Sequence, residues 1–187
     1  MNKKISRLDF EDIYFQPVNE KNIDLGWLSW MNNPKMTKYI DAKKNKKYHR
    51  KDLKKYLASH KSYVFFACYR KKDKIYIGNL RIYQYSPDIV SYGLLIDEKY
   101  QRLGYGTKFC KVALDLIFNW FRLDLVVATN RKENIAPSTY KKNLGFKIVD
   151  KNFIFRWKLG KKVDLSTHSS FYIDKKTYYK LANSIYK

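Results

Sequence analysis

The sequence is poor in the residues that mark several classes of small protein. Its 187 residues include only 2 cysteines, 4 prolines and 7 glycines. Cys68 and Cys110 lie far apart, with neither a CxxC pair nor a histidine at metal-ligand spacing. This spacing argues against a zinc site or a disulfide framework and, because both cysteines have apolar neighbours, favours buried thiols. We therefore expect no metal in this protein.

Long apolar segments are also lacking. No hydrophobic run approaches the ~20 residues that a membrane span needs. The N-terminus reaches Asp9 before any apolar stretch develops, so it does not resemble a signal peptide. The sequence predicts a soluble, cytoplasmic protein that does not act on a membrane.

Acidic residues are scarce, since 17 of them stand against 39 Lys and Arg and the formal net charge is +22. Such a charge favours anionic partners, whether nucleic acid, a membrane surface or phosphorylated small molecules. Only 8 of the basic residues are arginine, the side chain best suited to bidentate phosphate and base contacts. A lysine-dominated excess is also typical of general composition, so the charge is open to either interpretation.

Apolar residues are abundant enough to build a core. Hydrophobic residues make up 45% of the chain and aromatic residues 17%, which excludes disorder for most of it. The length favours one domain, which we place at residues 1–187.

The pattern of the chain predicts alternating strands and helices. The first half predicts a strand at 13–18 that ends near Pro17, a helix from an Asn22 N-cap to Asn33-Pro34, a helix at 52–59, and a meander of strands at 63–69, 75–83 and 90–96. The second half predicts a helix at 107–121, a strand at 123–129, a helix at 135–143 with Gly145 as its C′ residue, strands at 146–150, 153–159 and 163–172 with a turn at 160–162, and a helix capped by Asp174.

These elements define the expected fold class. Strand, helix and strand in the middle of the chain imply a parallel pair with a crossover helix, whereas the hairpins imply antiparallel edges. We expect an α/β fold with a mixed, mostly antiparallel sheet, a central parallel strand pair and flanking helices.

The most informative segment joins the strand at 90–96 to the helix at 107–121. We call its last part, residues 101–107, the glycine turn; it reads Gln101, Arg102, Leu103, Gly104, Tyr105, Gly106 and Thr107. Two glycines before a helix N-terminus let backbone N–H groups approach a pyrophosphate, and the helix dipole favours the negative charge. The dinucleotide fingerprint is excluded because its third glycine is missing, and the Walker spacing is absent.

The glycine turn resembles the Q/R-x-x-G-x-G/A signature of the GNAT N-acetyltransferase superfamily. The segment from Asn134 to Phe146 is similar to that family's N-x-x-(A/S)-x-x-x-Y-x-x-x-G-F pattern. Two further segments, 27–34 and 77–80, resemble the branch that holds RimJ/RimL-type ribosomal-protein acetyltransferases and amino-sugar acetyltransferases. The likeness covers roughly residues 10 to 180 and implies acetyl-CoA as co-substrate, without identifying the acceptor.

The resemblance also implies which residues hold coenzyme A. The backbone of the fourth-strand residues Leu94, Leu95 and Ile96 would pair with the pantetheine arm, and the amides from Arg102 to Thr107 would cradle the pyrophosphate. Asn134 matches an Asn that positions the cofactor or the acceptor.

Tyr140 is the candidate acid that the resemblance implies. A phenol is protonated at neutral pH and can give its proton to the departing thiolate. A core or surface tyrosine is the alternative. The base is open, because the strand at 91–96 has no carboxylate. Glu133, His49, His60 and His168 are candidates that are more simply interpreted as structural; a water chain or an amine of low pKa would need no base.

The candidate contacts to the acceptor substrate are aromatic residues. Trp27 and Trp30 on the first helix, with Tyr92, are candidate substrate contacts that could stack on a nucleobase or sugar; the alternative is that the tryptophans belong to the core. We expect a small-molecule amine as acceptor; a nucleotide-linked amine and assembly into a homodimer are both compatible with the sequence. A protein N-terminus is the alternative acceptor. A basic, non-enzymatic nucleic-acid-binding module is the alternative of another class, although nucleic-acid motifs are lacking.

Overall fold

The structure is a computed structural model that describes residues 5–40, 47–157 and 164–185, with side chains described as far as Leu181. Its strands form one eight-stranded sheet in the order β1-β2-β3-β4-β5-β6-β8-β7. The strands are β1 Leu8–Phe10, β2 Ile13–Pro17, β3 Val64–Arg70, β4 Tyr76–Ser86, β5 Ile89–Ile96, β6 Leu125–Arg131, β7 Lys147–Ile148 and β8 His168–Asp174.

Eight α-helical segments accompany these strands in the described residues. They are α1 Glu20–Asn22, α2 Leu28–Asn32, α3 Pro34–Thr37, α4 Arg50–Ser59, α5 Tyr105–Asp115, α6 Ile135–Asn143, α7 Lys151–Arg156 and α8 Lys175–Ile185. Wider π-helical turns continue two of them, Ile23–Trp27 between α1 and α2 and Leu116–Trp120 after α5. A single 3₁₀ turn, Glu98–Tyr100, follows β5.

The expected mixed sheet is confirmed. Strands β5 and β6 run parallel with Val90 opposite Val126, and α5 is the crossover between them. Pairs on either side of them, such as β3 with β4 and β6 with β8, are antiparallel. Parallel strands need such a crossover, whereas neighbouring antiparallel strands can be joined by a tight turn.

Internal contacts divide the chain into two compact units: Met1–Tyr83 with Gly93–Phe109, and Gln84–Tyr92 with Cys110–Lys187. The core of the first unit contains Trp27, Trp30 and Phe65, all buried. The core of the second contains Leu125, Val127 and Phe153. That residues 1–187 act as one domain stays a prediction.

Two details of the expected elements are wrong. Asn22 is not the N-cap of the first helix; Asn19 caps it, and the Asn22 side chain accepts a hydrogen bond from the Asn19 amide at 2.9 Å in a capping box. The sequence offers two Asn residues three positions apart, and only the backbone conformation distinguishes cap from third helical position.

The strand expected at 153–159 is wrong over the described part, because residues 151–156 form α7. Asp150 caps this helix and accepts a hydrogen bond from the Phe153 amide at 2.7 Å. The alternating Phe153, Phe155 and Trp157 imitate a strand, but Phe155 is 87% exposed. The cap therefore outweighs the alternation. The turn expected at 160–162 lies outside the described residues.

The remaining elements of the second half follow the sequence closely. Helix α6 spans Ile135–Asn143 as expected, and Gly145 after it has φ +81°. Asp174 caps α8, since its Oδ1 accepts from the Thr177 amide at 2.7 Å. Strand β8 begins later than expected and pairs with β6 and β7.

Candidate active site

The glycine turn is held in place by side chains of the first unit. Asp97 at the end of β5 accepts a hydrogen bond from Trp30 Nε1 at 3.0 Å, and its amide donates to the Ile77 carbonyl at 2.9 Å. Gln101 Nε2 donates to the Ile96 carbonyl at 2.9 Å. The start and the middle of the connection are thus fixed by separate contacts, which preorganises its backbone.

Two residues of the turn have left-handed backbone conformations. Arg102 has φ +61° and Gly104 has φ +83°. No heavy atom lies within 4 Å of the position that a Cβ of Gly104 would take, so the conformation alone requires glycine there. A positive φ costs a non-glycine residue about 1 kcal/mol or more, and such strain is concentrated at functional sites.

The turn leads directly into the N-terminus of α5. The amides of Thr107 and Lys108 both donate to the Gly104 carbonyl, at 3.1 and 3.2 Å. The amides of Tyr105 and Gly106 come before any carbonyl that the helix itself could offer. They can therefore serve an anion, for which the helix dipole adds a favourable field.

The charges beside the turn are of two kinds. Lys108 is paired with Glu11 at 3.1 Å and also contacts Asp12, so its charge is compensated. Arg102 is exposed, and no carboxylate is paired with it among the described residues. Of these two cations, Arg102 is the one available to a bound phosphate.

The strand that leads into the turn is half-buried at Leu94, Leu95 and Ile96. Gly78 on β4 approaches it so closely that a Cβ there would lie 2.4 Å from the Leu95 carbonyl oxygen. Any other residue at position 78 would push these two strands apart. The glycine of the 77–80 segment therefore has a packing role in the first unit.

The candidate residues of the second unit lie on α6 and at its start. Asn134 is half-buried in the N-cap position, where its side chain makes no capping bond. Tyr140 is half-buried, and burial together with the nearby Cys110 raises the pKa of its phenol. Tyr140 is therefore fully protonated at neutral pH, as an acid must be.

Sequence reasoning missed two residues of this region, Lys141 and Asn130. Lys141 is only 3% exposed, and its Nζ donates to Asn130 Oδ1 at 2.9 Å. Burial lowers the pKa of Lys141 to about 8. The signal was in the sequence: counted from Asn134, the tyrosine position of the N-x-x-(A/S)-x-x-x-Y-x-x-x-G-F pattern falls on Lys141, one residue after Tyr140.

The candidate substrate contacts are buried. Trp27 and Trp30 are 4% and 5% exposed and belong to the core of the first unit, a position that favours the core interpretation of both. Trp27 packs edge-on against Tyr56 and Phe65. Tyr92, in the second unit, is buried, and its hydroxyl lies 3.0 Å from Cys110 Sγ.

The four candidate bases differ in exposure and in contacts. His49 caps α4 together with Asp52, and Glu133 is exposed. His60 packs on Phe65 with a pKa that burial and the charge of Arg81 lower. His168 contacts the Thr167 hydroxyl at 2.8 Å.

The first unit also contains a buried polar group that sequence reasoning did not single out. Asn79 on β4 is 4% exposed; its Oδ1 accepts from the Tyr76 hydroxyl at 2.7 Å, and its Nδ2 has no hydrogen-bond partner within the described part of the chain. Tyr76 in turn packs against the Trp30 ring at 4.5 Å. Whichever way the amide is oriented, one of its two polar atoms is unsatisfied, which costs free energy unless a ligand or water reaches it.

Both cysteines of the chain lie in the protein interior. Cys68 and Cys110 are free, buried thiols, as expected. The described part of the chain contains no cluster of three or more potential metal ligands. Within that part, every helix is too short or too polar to cross a bilayer.

The fold and the turn define a class, an α/β protein with a mixed sheet in which a glycine turn opens the helix that joins the two parallel strands. Residues 12–147 match the acetyltransferase (GNAT) domain family. The chain therefore belongs to this family, and its enzyme class is acetyl-CoA-dependent N-acetyltransferase. No curated protein matches the sequence.

Solved structures share the fold at low sequence identity. An acetyltransferase of the GNAT family from Bacillus anthracis is 15% identical, with a TM-score of 0.73 over 91% of this chain and 99% of that one. Spermidine N-acetyltransferase from Vibrio cholerae, in complex with CoA and spermine, is 15% identical with a TM-score of 0.72 over 90% and 98%. FdhC, a nucleotide-linked sugar GNAT, is 14% identical with a TM-score of 0.62 over 92% of each chain.

Proposed function

We propose that this enzyme transfers the acetyl group of acetyl-CoA directly to a primary amine of a small polar metabolite, such as a nucleotide-linked amino sugar. The observation that carries the proposal is the braced glycine turn at the start of α5. No heavy atom lies within 4 Å of the Cβ position of Gly104, and the amides of Tyr105 and Gly106 precede any acceptor that the helix offers. Both features fit a pyrophosphate. Exposed Arg102 adds a positive charge at the same place.

Coenzyme A binding is assigned to one continuous segment. The amides from Arg102 to Gly106 hold the pyrophosphate, with Gln101 as the brace; the Thr107 amide, also expected there, is already bonded to the Gly104 carbonyl. The backbone of Leu94, Leu95 and Ile96 pairs with the pantetheine arm as an added strand would. The side chains of Leu103 and Tyr105 belong to this segment without a separate role.

The reaction needs one proton donor and one positioning group. The amine nitrogen attacks the thioester carbonyl, a C–N bond forms, the C–S bond breaks, and the thiolate takes a proton. Tyr140 gives that proton, because its phenol is protonated at neutral pH. Asn134 positions the thioester or the amine. The ammonium loses its protons to water, since none of the four candidate bases is assigned.

The acceptor class is proposed from charge and from polar groups. A net charge of +22 repels polyamines and favours a metabolite with phosphate. In the first unit, the unpartnered amide of Asn79 and the Tyr76 hydroxyl are neutral groups suited to sugar hydroxyls or carbonyls. The relation to FdhC, described as a nucleotide-linked sugar GNAT, points the same way.

The first test is thermal unfolding with acetyl-CoA, and with ATP as an anionic control, at near-physiological salt. Ligand at 100 times its Kd stabilises the fold by about 2.7 kcal/mol, a Tm shift of roughly 5–10 °C. We expect acetyl-CoA to exceed ATP clearly. Equal shifts that fade together as salt rises would instead favour the basic nucleic-acid-binding module.

The acceptor is then found by measuring CoA thiol release with a panel of amines. The panel contains a UDP-linked amino sugar, a free amino sugar, spermidine and a peptide with a free N-terminus. We expect the nucleotide-linked sugar to give the highest kcat/KM. Preference for the peptide would identify an N-terminal protein acetyltransferase and overturn the metabolite assignment.

A further inference from the structure

Lys141 is an unusual residue for the inside of a protein. Its side chain is 3% exposed, its Nζ has one hydrogen bond, to Asn130 Oδ1, and it lies 5.3 Å from the centre of the Phe171 ring. No carboxylate is paired with it within the described residues. Burial of an ammonium without a counter-charge destabilises a fold, so an apolar side chain of the same length would be more favourable here.

Asn130 also forms hydrogen bonds with groups at the start of α6, so it links Lys141 to that part of the chain. Its Nδ2 lies 3.0 Å from the Arg131 carbonyl, 3.1 Å from the Asn134 carbonyl and 3.1 Å from Ser138 Oγ. Asn130 and Arg131 are the last two residues of β6, whereas Asn134 is the N-cap residue of α6 and Ser138 lies in its first turn. One side-chain amide therefore fixes the path from the strand to the helix.

The orientation of that amide depends on Lys141. An Asn side chain can exchange its oxygen and nitrogen by a half-turn, which would place an acceptor against the Asn134 carbonyl. A lysine Nζ only donates when charged, so it fixes Oδ1 on its own side and Nδ2 on the side of the helix start. A charged donor makes this bond stronger than a neutral one.

We propose that Lys141 is a positioning residue of the acetyl transfer, acting through Asn130 on the backbone at Asn134 and on the helix that carries Tyr140. The inference rests on the function proposed above. It explains why a destabilising charge is kept in the second unit, because a site can retain strain or buried charge that the fold alone would not.

The groups around Lys141 do not supply another explanation for its charge. Cys110 on α5 and Tyr140 on α6 are protonated at neutral pH, because burial raises the pKa of both side chains. Tyr92 on β5 is neutral for the same reason. On β8, Phe171 offers only its ring face. Among the described residues, the charge of Lys141 is therefore balanced by dipoles, and Asn130 supplies one of them at 2.9 Å.

The test compares Lys141→Met with Lys142→Met, the neighbouring exposed lysine on the same helix. We expect Lys141→Met to raise Tm at pH 7 by about 2 to 6 °C, because the buried charge is gone. In the same variant, hydrogen exchange of the amides at 131–139 becomes at least tenfold faster, because the hold on the helix start is lost. Lys142→Met changes neither quantity.

The kinetic arm uses the amine with the highest kcat/KM in the panel. Lys141→Met is expected to lower kcat at least tenfold while KM for acetyl-CoA stays within about twofold, and Lys141→Arg to restore part of kcat. Asn130→Ala should lower kcat similarly, and the double variant no further, since both residues act through one contact. Additive losses would contradict action through Asn130.

Failure of the inference and failure of the function give different results. If the wild-type enzyme releases no thiol with any amine, the proposed function fails, while hydrogen exchange still tests the hold of Lys141 on α6. If Lys141→Met lowers Tm and leaves exchange at 131–139 unchanged, Lys141 is an ordinary stabilising residue and the inference is wrong. Unchanged kcat in Lys141→Met overturns it as well.

Discussion

The glycine turn and the region around α6 use opposite means to build a site. The turn is exposed, and what it offers a ligand is backbone: amides set by two left-handed residues, Arg102 and Gly104. The candidate groups of the α6 region are buried or half-buried side chains, which are fixed by other side chains, Asn130 and Lys141 above all. A backbone site tolerates most side chains that keep its path, whereas a buried side-chain site depends on each partner.

Two glycines with almost the same φ make the difference concrete. Gly104 in the turn has φ +83° with open space around a Cβ, whereas Gly145 after α6 has φ +81° with Leu181 Cδ1 at 1.9 Å from a Cβ. The first glycine is required by conformation and the second by conformation and packing. Substitutions at the two positions therefore separate these two requirements.

The largest effect is expected from a negative charge introduced into the glycine turn. Gly106→Asp places bulk and negative charge at the start of α5, and like-charge juxtaposition costs several kcal/mol. We expect acetyl-CoA affinity to fall about 1000-fold, measured by titration calorimetry. Circular dichroism and Tm without ligand should match the wild type. Undiminished affinity in a folded variant would remove the turn from the cofactor site.

The next effect separates the two glycines. Gly145→Ala should destabilise the fold by about 3 kcal/mol, because Leu181 must move and the φ is strained, whereas Gly104→Ala should cost about 1 kcal/mol from strain alone. Urea unfolding measures both. Equal losses at the two positions would mean that Leu181 moves away at little cost.

Tyr140→Phe tests whether a side chain of the α6 region is the general acid. Removal of a general acid should lower kcat about 100-fold while acetyl-CoA affinity stays nearly unchanged. Steady-state kinetics with the preferred amine gives kcat, and calorimetry gives the affinity. Tyr179→Phe, at an exposed tyrosine of α8, is the matched control. If kcat is unaltered, Tyr140 is not the acid.

Lys141 should make the fold more stable as the pH rises, because its pKa is lowered. Lys141 has a pKa of about 8 in the fold against an ordinary value of 10.5. Between these values the unfolded chain binds more protons, so this residue makes the fold more stable as pH rises from about 8 to about 10, by about 2 kcal/mol. The stability gained by Lys141→Met should accordingly shrink over that range in urea unfolding, and a constant gain would contradict the lowered pKa.

The smallest effect concerns strain and charge within the turn. Arg102→Gly relieves the left-handed strain but removes a cation, so we expect stability to rise by about 0.5–1 kcal/mol and acetyl-CoA affinity to fall three- to fivefold. Arg122→Gly is the control, because Arg122 also has a positive φ, +56°, but lies after α5. It should gain similar stability at no loss of affinity. Equal affinity losses would indicate a general effect of net charge.

Much of the fold was predictable from local patterns. The bounds of α6, the left-handed Gly145 and the Asp174 cap follow from residues within one or two turns of each other. The strand expected at 153–159 failed because its alternation is local too, and nothing in it says that Phe155 faces solvent. Here the alternation of aromatic residues indicates a strand and the Asp150 cap indicates a helix; the cap and the packing partners decide that a helix forms.

The candidate site, like the fold, has parts that local sequence predicts and parts that depend on residues distant in sequence. The glycine turn could be found from sequence because the function proposed for it depends on glycine spacing and a helix start, both of which are local. Trp30 could be placed on a helix, but its hydrogen bond to Asp97 joins residues 67 positions apart. Lys141 could be counted into the pattern, but its burial depends on α5 and β8.

The sequence by itself determined most of the strands and helices, the crossover between β5 and β6, the glycine turn before α5 and the family. These properties arise from periodicity, glycine conformation and spacing along the chain. Only the tertiary structure decided which lysine is buried, which tryptophan braces the turn and which residue caps the first helix. Burial and long-range hydrogen bonds depend on partners distant in sequence, and the free energy of a buried charge exists only once those partners exclude water.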